Sequence, residues 1–574
     1  MNQGWILALG ALVACLGLIS DPGRASAHPT PERQQAQPLP ETKALEPALK
    51  PVPRADCGPG SRPETGIQGR VSSKDHASGR AAKGFTCNTE LVGSYAEPGA
   101  QGTVGGYKVE RYVDADGHDC AYYDTTLLFP TNLFDATAGV NVLDMSNPSK
   151  PTLTDTLLSP AMQSPHESLV LSAKRGLLAA VLGNPAFNVG VVDVYDISKD
   201  CRHPVLRASS PIGVFGHESG MAPDGRTFYS ASPATSTIVA VDLDDPSTPT
   251  PLWVGNYDSH GLSISDDGNR AYVAGVDSGL IILDTSEIQA RVPNPSVREV
   301  TRLTWDSMSI PQNAIPVTID DHRYVVEIDE FGSLDEVGAG RIIDIDDETK
   351  PRVISNLRLE VHQPENFERL SGDPGTSSPI QGYAGHYCSV PRRTDPGIVA
   401  CSMILSGLRV FDIRDPRNPR EIAYFNAPVT PRDVSDASNY AMSSPSFVPE
   451  RDEIWYSDGY SGFYGVRLTN GAWPSPGGCN PIRGKGGADR LRGTAGDDCM
   501  RGRGGADRLS ARAGDDKLRG GRGRDRLRGG AGRDLIRAAR GARDRIDCGP
   551  GRDQAFVDPA KDRWRRCEEL RRRR

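Results

Sequence analysis

An apolar run ending in aspartate recurs along this chain at intervals of 42 to 68 residues, and no other feature constrains the fold as tightly. It reads "VNVLDMSNPSKP" from Val140, "VGVVDVYDISKD" from Val189, "IVAVDLDDPSTP" from Ile238, "LIILDTSE" from Leu280, "RIIDIDDETKP" from Arg341 and "LRVFDIRDPRNP" from Leu408. The recurring positions are Asp144, Asp193, Asp242, Asp284, Asp344 and Asp412. Each run reads as a buried strand, and the Asp/Asn-Pro-x-x-Pro that often follows is a turn into another strand. Upstream, "APDGRTFYSAS", "SDDGNRAYVAG", "IDDHRYVVEID" and "ERDEIWYSDG" each set acidic or glycine turn residues before an alternating apolar strand, the pattern of a hairpin.

Each unit therefore contains four antiparallel strands, a to d, and units of about 40–50 residues with four strands are propeller blades. The apolar run with its Asp-Pro-x-x-Pro resembles the LVIVD repeat of bacterial exported β-propellers. That resemblance covers residues 87–468 and implies architecture rather than activity. Six runs plus "SGFYGVRL" (461–468) make seven blades. The last blade lacks a d strand, and "CNTELVGSYAEP" (87–98) is a d strand without its own a to c. Pairing them closes the ring and removes exposed edges. The expected class is all-β, a seven-bladed β-propeller over residues 87–470 followed by a short parallel β-roll.

Histidines sit at matching places in these repeats. His166, His217, His260 and His386 precede the recurring aspartates by 27, 25, 24 and 26 residues, at the start of strand a. Strand a lines the channel of a propeller, so the four imidazoles should converge near the axis. Gln312 and Ser443 align there in two further blades. His118 and His322 fall in turns before strand b, and His28, His76, His203 and His362 lie off the repeat and are expected at the surface. Neutral imidazole suits Zn, Cu, Fe and Ni, which makes the four histidines candidate metal ligands, with Glu167, Glu218 and Gln312 as supporting partners. A copied channel residue bonded only to backbone and water is the competing reading. Glu327 and Asp329 share one face of the strand "VVEIDE", read as a solvated face.

The tail steps in nines from Gly484: "GKGGADRLR", "GTAGDDCMR", "GRGGADRLS", "ARAGDDKLR", "GGRGRDRLR", "GGAGRDLIR". This resembles the RTX (hemolysin-type) nonapeptide repeat, which winds a parallel β-roll around calcium. The resemblance assigns Ca²⁺ to Asp489, Asp498, Asp507, Asp516, Asp525 and Asp534, and the roll interior to Leu491, Met500, Leu509, Leu518, Leu527 and Ile536. Ala511 replaces one leading glycine, and after Arg537 the register is expected to slip.

The ends and the charge complete the organisation. Residues 1–27 read as a signal peptide, with an apolar run before Ala25-Ser26-Ala27; a lipoprotein-like box at Cys15 is the alternative. Residues 28–54 are a Pro/Ala-rich leader expected to be disordered. Residues 55–86 form an extension, 471–483 a linker, 484–546 the nonapeptides, and 547–574 a disulfide-closed cap and basic tail. Ten cysteines beyond Cys15 point to disulfides in an oxidising compartment, with Cys388–Cys401 and Cys548–Cys567 the pairs suggested by spacing. From Pro481 onward there are 28 Lys and Arg against 15 Asp and Glu, net +13, while the rest is −21. With few aromatics to stack bases, the basic tail suits an anionic cell-surface polymer or a protein partner rather than nucleic acid. The reading is a secreted or cell-surface binding protein; a metal-dependent oxidoreductase on the channel histidines and a scaffold without a small-molecule site are the alternatives.

Overall fold

The computed structural model describes residues 31–572 apart from 32, 36–37, 40–41, 97–103, 126–137, 184–189, 331–336, 378–381, 430–439, 474–479, 495–496 and 539–542. The signal-peptide reading lies outside the described residues. Seven antiparallel sheets form the propeller. Blades 1 to 6 begin strand a at Val109–Val113, Val170–Ser172, Gly220–Met221, Gly261–Ile264, Ile310–Ile319 and Tyr387–Ser389. Blade 7 comprises Ser446–Val448, Glu453–Asp458 and Gly462–Leu468, and its outer strand is Thr89–Tyr95 from the other end of the chain. The ring is closed as expected, so no blade leaves a hydrogen-bonding edge open at the seam.

The recurring aspartate has a local job. It ends strand c, and one carboxylate oxygen accepts from the backbone N–H two residues on, at 2.8–3.1 Å in six blades. This Asx turn starts the link to strand d. In blade 2 the residue so placed is Asp196, opposite Leu177 at the start of strand b. Asp193, the residue matched by the sequence pattern, sits opposite Ala180 and accepts instead from Ser159 Oγ and Ala161 N. The correction moves His166 to 30 residues before its blade's aspartate, against 24–26 for the other three.

The leader is not a disordered spacer over its described part. Thr42–Ala44 adds a parallel strand outside blade 4. Gln34 bridges to Gly255 in blade 3, and Pro51 to Arg358 at the end of blade 5. The extension then lays Phe85–Cys87 along the outer strand of blade 6. Buried arginines hold this strap: Arg341 contacts Glu46, Glu327 and Asp329, and Arg409 pairs with Glu64 and Glu421. Glu327 and Asp329 are thus fully buried between blades rather than on a solvated face. Disulfides join Cys57–Cys87, Cys120–Cys201, Cys388–Cys401 and Cys548–Cys567, the last two as the spacing suggested.

Beyond the propeller the chain winds a two-walled solenoid of parallel strands. One wall has six strands, from Asn480–Arg483 to Glu569–Arg572, and the other five, from Arg490–Arg492 to Arg563–Arg565. Leu509, Leu518, Leu527 and Ile536 fill the space between the walls. After Arg537 the register slips as expected, by one residue, since the step between stacked strands lengthens from 18 to 19. Strands at Arg545–Asp547 and Gln554–Val557 nevertheless continue both walls, so the cap is more solenoid. The six-stranded wall rests on the propeller. Arg519 and Arg537 pair with Asp320, and Arg501 lies 3.5 Å from Asp321 and 3.9 Å from Asp395. Those aspartates lie in a–b links of blades 5 and 6, at the opposite end of strand a from the histidines.

Candidate metal centre at the propeller axis

In blades 4 and 6 the residue before strand a is His260 or His386, and in blade 3 His217 lies three residues ahead of it. Each N–H donates to the carbonyl of strand b beside it, which aims the side chain down the axis. Blade 1 places Lys108 at that point, and blade 5 places Gln312 at a β-bulge between Pro311 and Asn313. Blade 7 places Ser443, which accepts from Ser457 N. His166 arrives differently. The longer lead before Asp196 turns it through a left-handed backbone, φ +41° at His166 and +74° at Glu167. Two consecutive non-glycine residues in that region cost on the order of 1–3 kcal/mol each, a strain tolerated where the surroundings over-determine it. Gly183 supplies the room: a Cβ there would fall 2.2 Å from His166 Cβ.

The rings do converge. His166 and His217 have centroids 4.7 Å apart, and His217 and His260 4.3 Å. Glu167 sits among them and is 2 % exposed. One of its oxygens lies 2.8 Å from His217 Nδ1, off the hydrogen-bond direction, and the other 3.4 Å from His386 Nε2. Glu330, which the sequence analysis did not single out, lies 3.1 Å from His386 Nε2 and 3.3 Å from His260 Nε2. Tyr107 packs beside both His166 and His386. Glu167 is held in place by Gln312 Nε2 at 2.5 Å and by Tyr387 O–H at 2.7 Å. Glu218 does not support a histidine: it pairs at 2.8 Å with Lys108 and accepts from Asn313. His362 is buried rather than superficial, its ring spanning Leu359 N and Tyr383 O.

Electrostatics divides the four rings. Burial, reinforced by His217, lowers His166 to about 3 and His260 to about 4, so both are neutral at neutral pH. Burial also opposes charge on His386, but Glu167 and Glu330 outweigh it and raise that ring to about 10. His217 is raised in the same way, chiefly by Glu167, despite its burial. Burial pushes Glu167 up, yet His217 and His386 hold it well below the carboxylate range.

The donor set fits a transition ion. Nδ1 of His260 and of His386 donates to Pro311 O and Met442 O, carbonyls of the following blade, which leaves each Nε2 facing the axis. His386 Nε2 and His217 Nδ1 are buried and make no hydrogen bond. Ligand atoms of His166, Glu167 and His217 all lie within 4.8 Å of one another. Imidazole with a carboxylate is the chemistry of Zn, Cu or Fe rather than of calcium.

The solenoid carries a second, different donor array. Asp489, Asp498, Asp507, Asp516, Asp525 and Asp534 line its two edges, and each except Asp489 and Asp498 accepts from the backbone N–H of an aspartate one turn earlier. Asp544, Asp553 and Asp562 extend the rows with the same contact. Their sequence signal was present, but the step of 19 residues hid it from an 18-residue ruler. The second oxygens of Asp507, Asp516, Asp525, Asp534, Asp544 and Asp553 are buried without a partner. A Cβ at Gly502, Gly520 or Gly529 would fall within 2.1–2.4 Å of such an oxygen, which is why glycine leads these repeats. The sequence profile of the RTX calcium-binding nonapeptide repeat matches residues 480–509, 502–536 and 510–543, with four copies. These turns are RTX repeats. Their unpartnered carboxylate oxygens fit Ca²⁺, a hard cation that takes oxygen ligands.

No curated protein matches the chain. Similar solved structures include a functionally unknown protein from Desulfotomaculum acetoxidans DSM 771, at 11% identity over 58% of this chain and 88% of that one, TM-score 0.37. Kuenenia stuttgartiensis hydrazine synthase and the RRP9 WD40 repeats each show 12% identity over 66% of this chain and 99% of theirs, TM-score 0.41. At this distance they carry no functional information.

Proposed function

We propose that this is a secreted or cell-surface binding protein whose propeller holds a first-row transition ion at its axis and whose RTX solenoid is a calcium-dependent module. Export accords with the disulfides, and no described helix is long and apolar enough to cross a membrane. The observation that carries the metal reading is the convergence of imidazoles from four blades around Glu167 and Glu330, with two rings already anchored through Nδ1. His166, His217 and Glu167 would hold the ion, with His386, His260 and Glu330 beside them. When bound, the ion would supply a Lewis-acid centre. Gln312 and Tyr387 keep Glu167 oriented, and the Lys108–Glu218 pair keeps the surrounding charge balanced. Elemental analysis of protein purified in calcium tests this. Stoichiometric Zn, Cu or Fe is expected, lost in Glu167→Gln and His217→Ala variants whose circular dichroism is unchanged; calcium as the sole metal in the wild type refutes the reading.

A further inference from the structure

Every strand of the five-stranded solenoid wall contributes an arginine at the same height. Arg490, Arg508, Arg526, Arg545 and Arg563 are direct neighbours in the parallel register. All five are exposed, each one residue before the inward-facing Leu491, Leu509, Leu527 and Ile546 or, on the last strand, the exposed Trp564. Strands are spaced about 4.8 Å apart, so five guanidinium groups form a straight column about 19 Å long. Like charges in directly opposite positions destabilise a sheet. Among the described residues none of the five has a carboxylate within ion-pair distance, because the aspartates of each turn are committed to the edge rows.

The other wall shows what such a column does when it has a partner. Arg501, Arg519 and Arg537 are stacked in register in the same way. They engage Asp320, Asp321 and Asp395 of the propeller. An arginine column on this scaffold is thus a carboxylate-binding stripe. One copy is filled from within the chain, and the other faces away from the propeller.

We propose that the outer column, Arg490, Arg508, Arg526, Arg545 and Arg563, binds a linear polycarboxylate, a uronic-acid polysaccharide, lying across the strands. Three observations support this occupant over nucleic acid. The inner column selects carboxylates, and guanidinium matches a carboxylate through two parallel hydrogen bonds. The five strands are spaced on the order of one sugar residue. No aromatic platform for bases lines the stripe, Trp564 being the single aromatic on this wall. The site is separate from the axial cluster and stands or falls without it.

A mannuronate decamer and the full-length protein in calcium buffer provide the test. The wild type should bind the decamer, bind neutral dextran negligibly, and lose affinity steeply with added salt. Replacing Arg508, Arg526 and Arg545 by Ser, the residue already tolerated at outward-facing Ser510, should weaken binding about ten-fold or more. It should also lower the slope of log K against log salt by about two. Calcium content and circular dichroism of that variant should match the wild type, so a loss cannot be misfolding. The same triple change on the inner column, at Arg501, Arg519 and Arg537, should leave decamer binding intact. Undiminished binding by the outer-column variant overturns the proposal, as does no decamer binding by the wild type. Equal binding of a DNA duplex of matched charge overturns the choice of a polycarboxylate.

Discussion

Arg409→Ala should cost about 3–5 kcal/mol of folding stability at pH 8 and visibly less at pH 5. Arg409 is completely buried, 2.8 Å from Glu64 and 2.9 Å from Glu421, with its guanidinium 4.3 Å over the Tyr424 ring. Removing it strands two carboxylates away from water, and breaking one side of such a buried pair carries that cost. Burial already pushes Glu421 above its ordinary range, Glu64 adds to this, and Arg409 opposes it. A carboxyl raised in the folded state binds protons more tightly there than in the unfolded chain. It therefore lowers stability as pH rises above the ordinary carboxylate range, and without Arg409 this penalty grows. The assay is equilibrium urea unfolding of wild type and variant in saturating calcium at pH 5 and pH 8. Hydrogen exchange across residues 55–87 should report the same loosening locally, since Glu64 and Gln68 tie the extension to blade 6. Combining Glu64→Gln and Glu421→Gln with Arg409→Met should restore most of the loss, since neither buried charge is then left unpaired. A cost below about 1 kcal/mol at pH 8, or one equal at both pH values, would refute the reasoning.

Two further outcomes follow from the solenoid. Burial and neighbouring carboxylates raise Asp516 to about 7, Asp534 to about 6 and Asp544 to about 7. In chelator, then, the solenoid should grow more stable as pH falls from about 7 towards 4, and calcium should flatten that trend by replacing the protons. Thermal melts followed by circular dichroism measure it, and a chelated solenoid that gains stability with rising pH contradicts it. Separately, Asp320→Asn with Asp321→Asn should release the solenoid from the propeller, because partly exposed ion pairs of about 0.2–1 kcal/mol each hold it. X-ray scattering should show a larger radius of gyration for the variant, and for the wild type in 1 M salt. An unchanged wild-type radius at that salt concentration means that something other than this ladder holds the wall.

Local chemistry was legible wherever a pattern repeats. Apolar runs, turn residues and spacing sufficed for seven blades, for the strand that closes the ring, and for the aspartate rows of the RTX turns. They also placed His217, His260 and His386 in one register, because each lies 24–26 residues before the strand c aspartate of its blade. The same ruler failed where two candidates fit it. In blade 2 "VVD" imitates the end of strand c, and only the pairing of Asp196 with Leu177 shows which aspartate makes the turn. Contacts between distant segments left no periodic trace. Glu330 reaches His260 and His386 from a neighbouring blade, Lys108 neutralises Glu218 across the channel, and Glu46 and Glu64 are gripped by arginines hundreds of residues away. Glu327 and Asp329 looked solvated because strand alternation reports which residues share a face, not what packs against it. The sequence by itself determined the strands, their turns and the ring they close, since these depend on residues near one another in the chain. Which charges meet at the axis, along the strap and between the solenoid and the propeller was decided by tertiary packing, because burial is set by whichever blade comes to lie alongside.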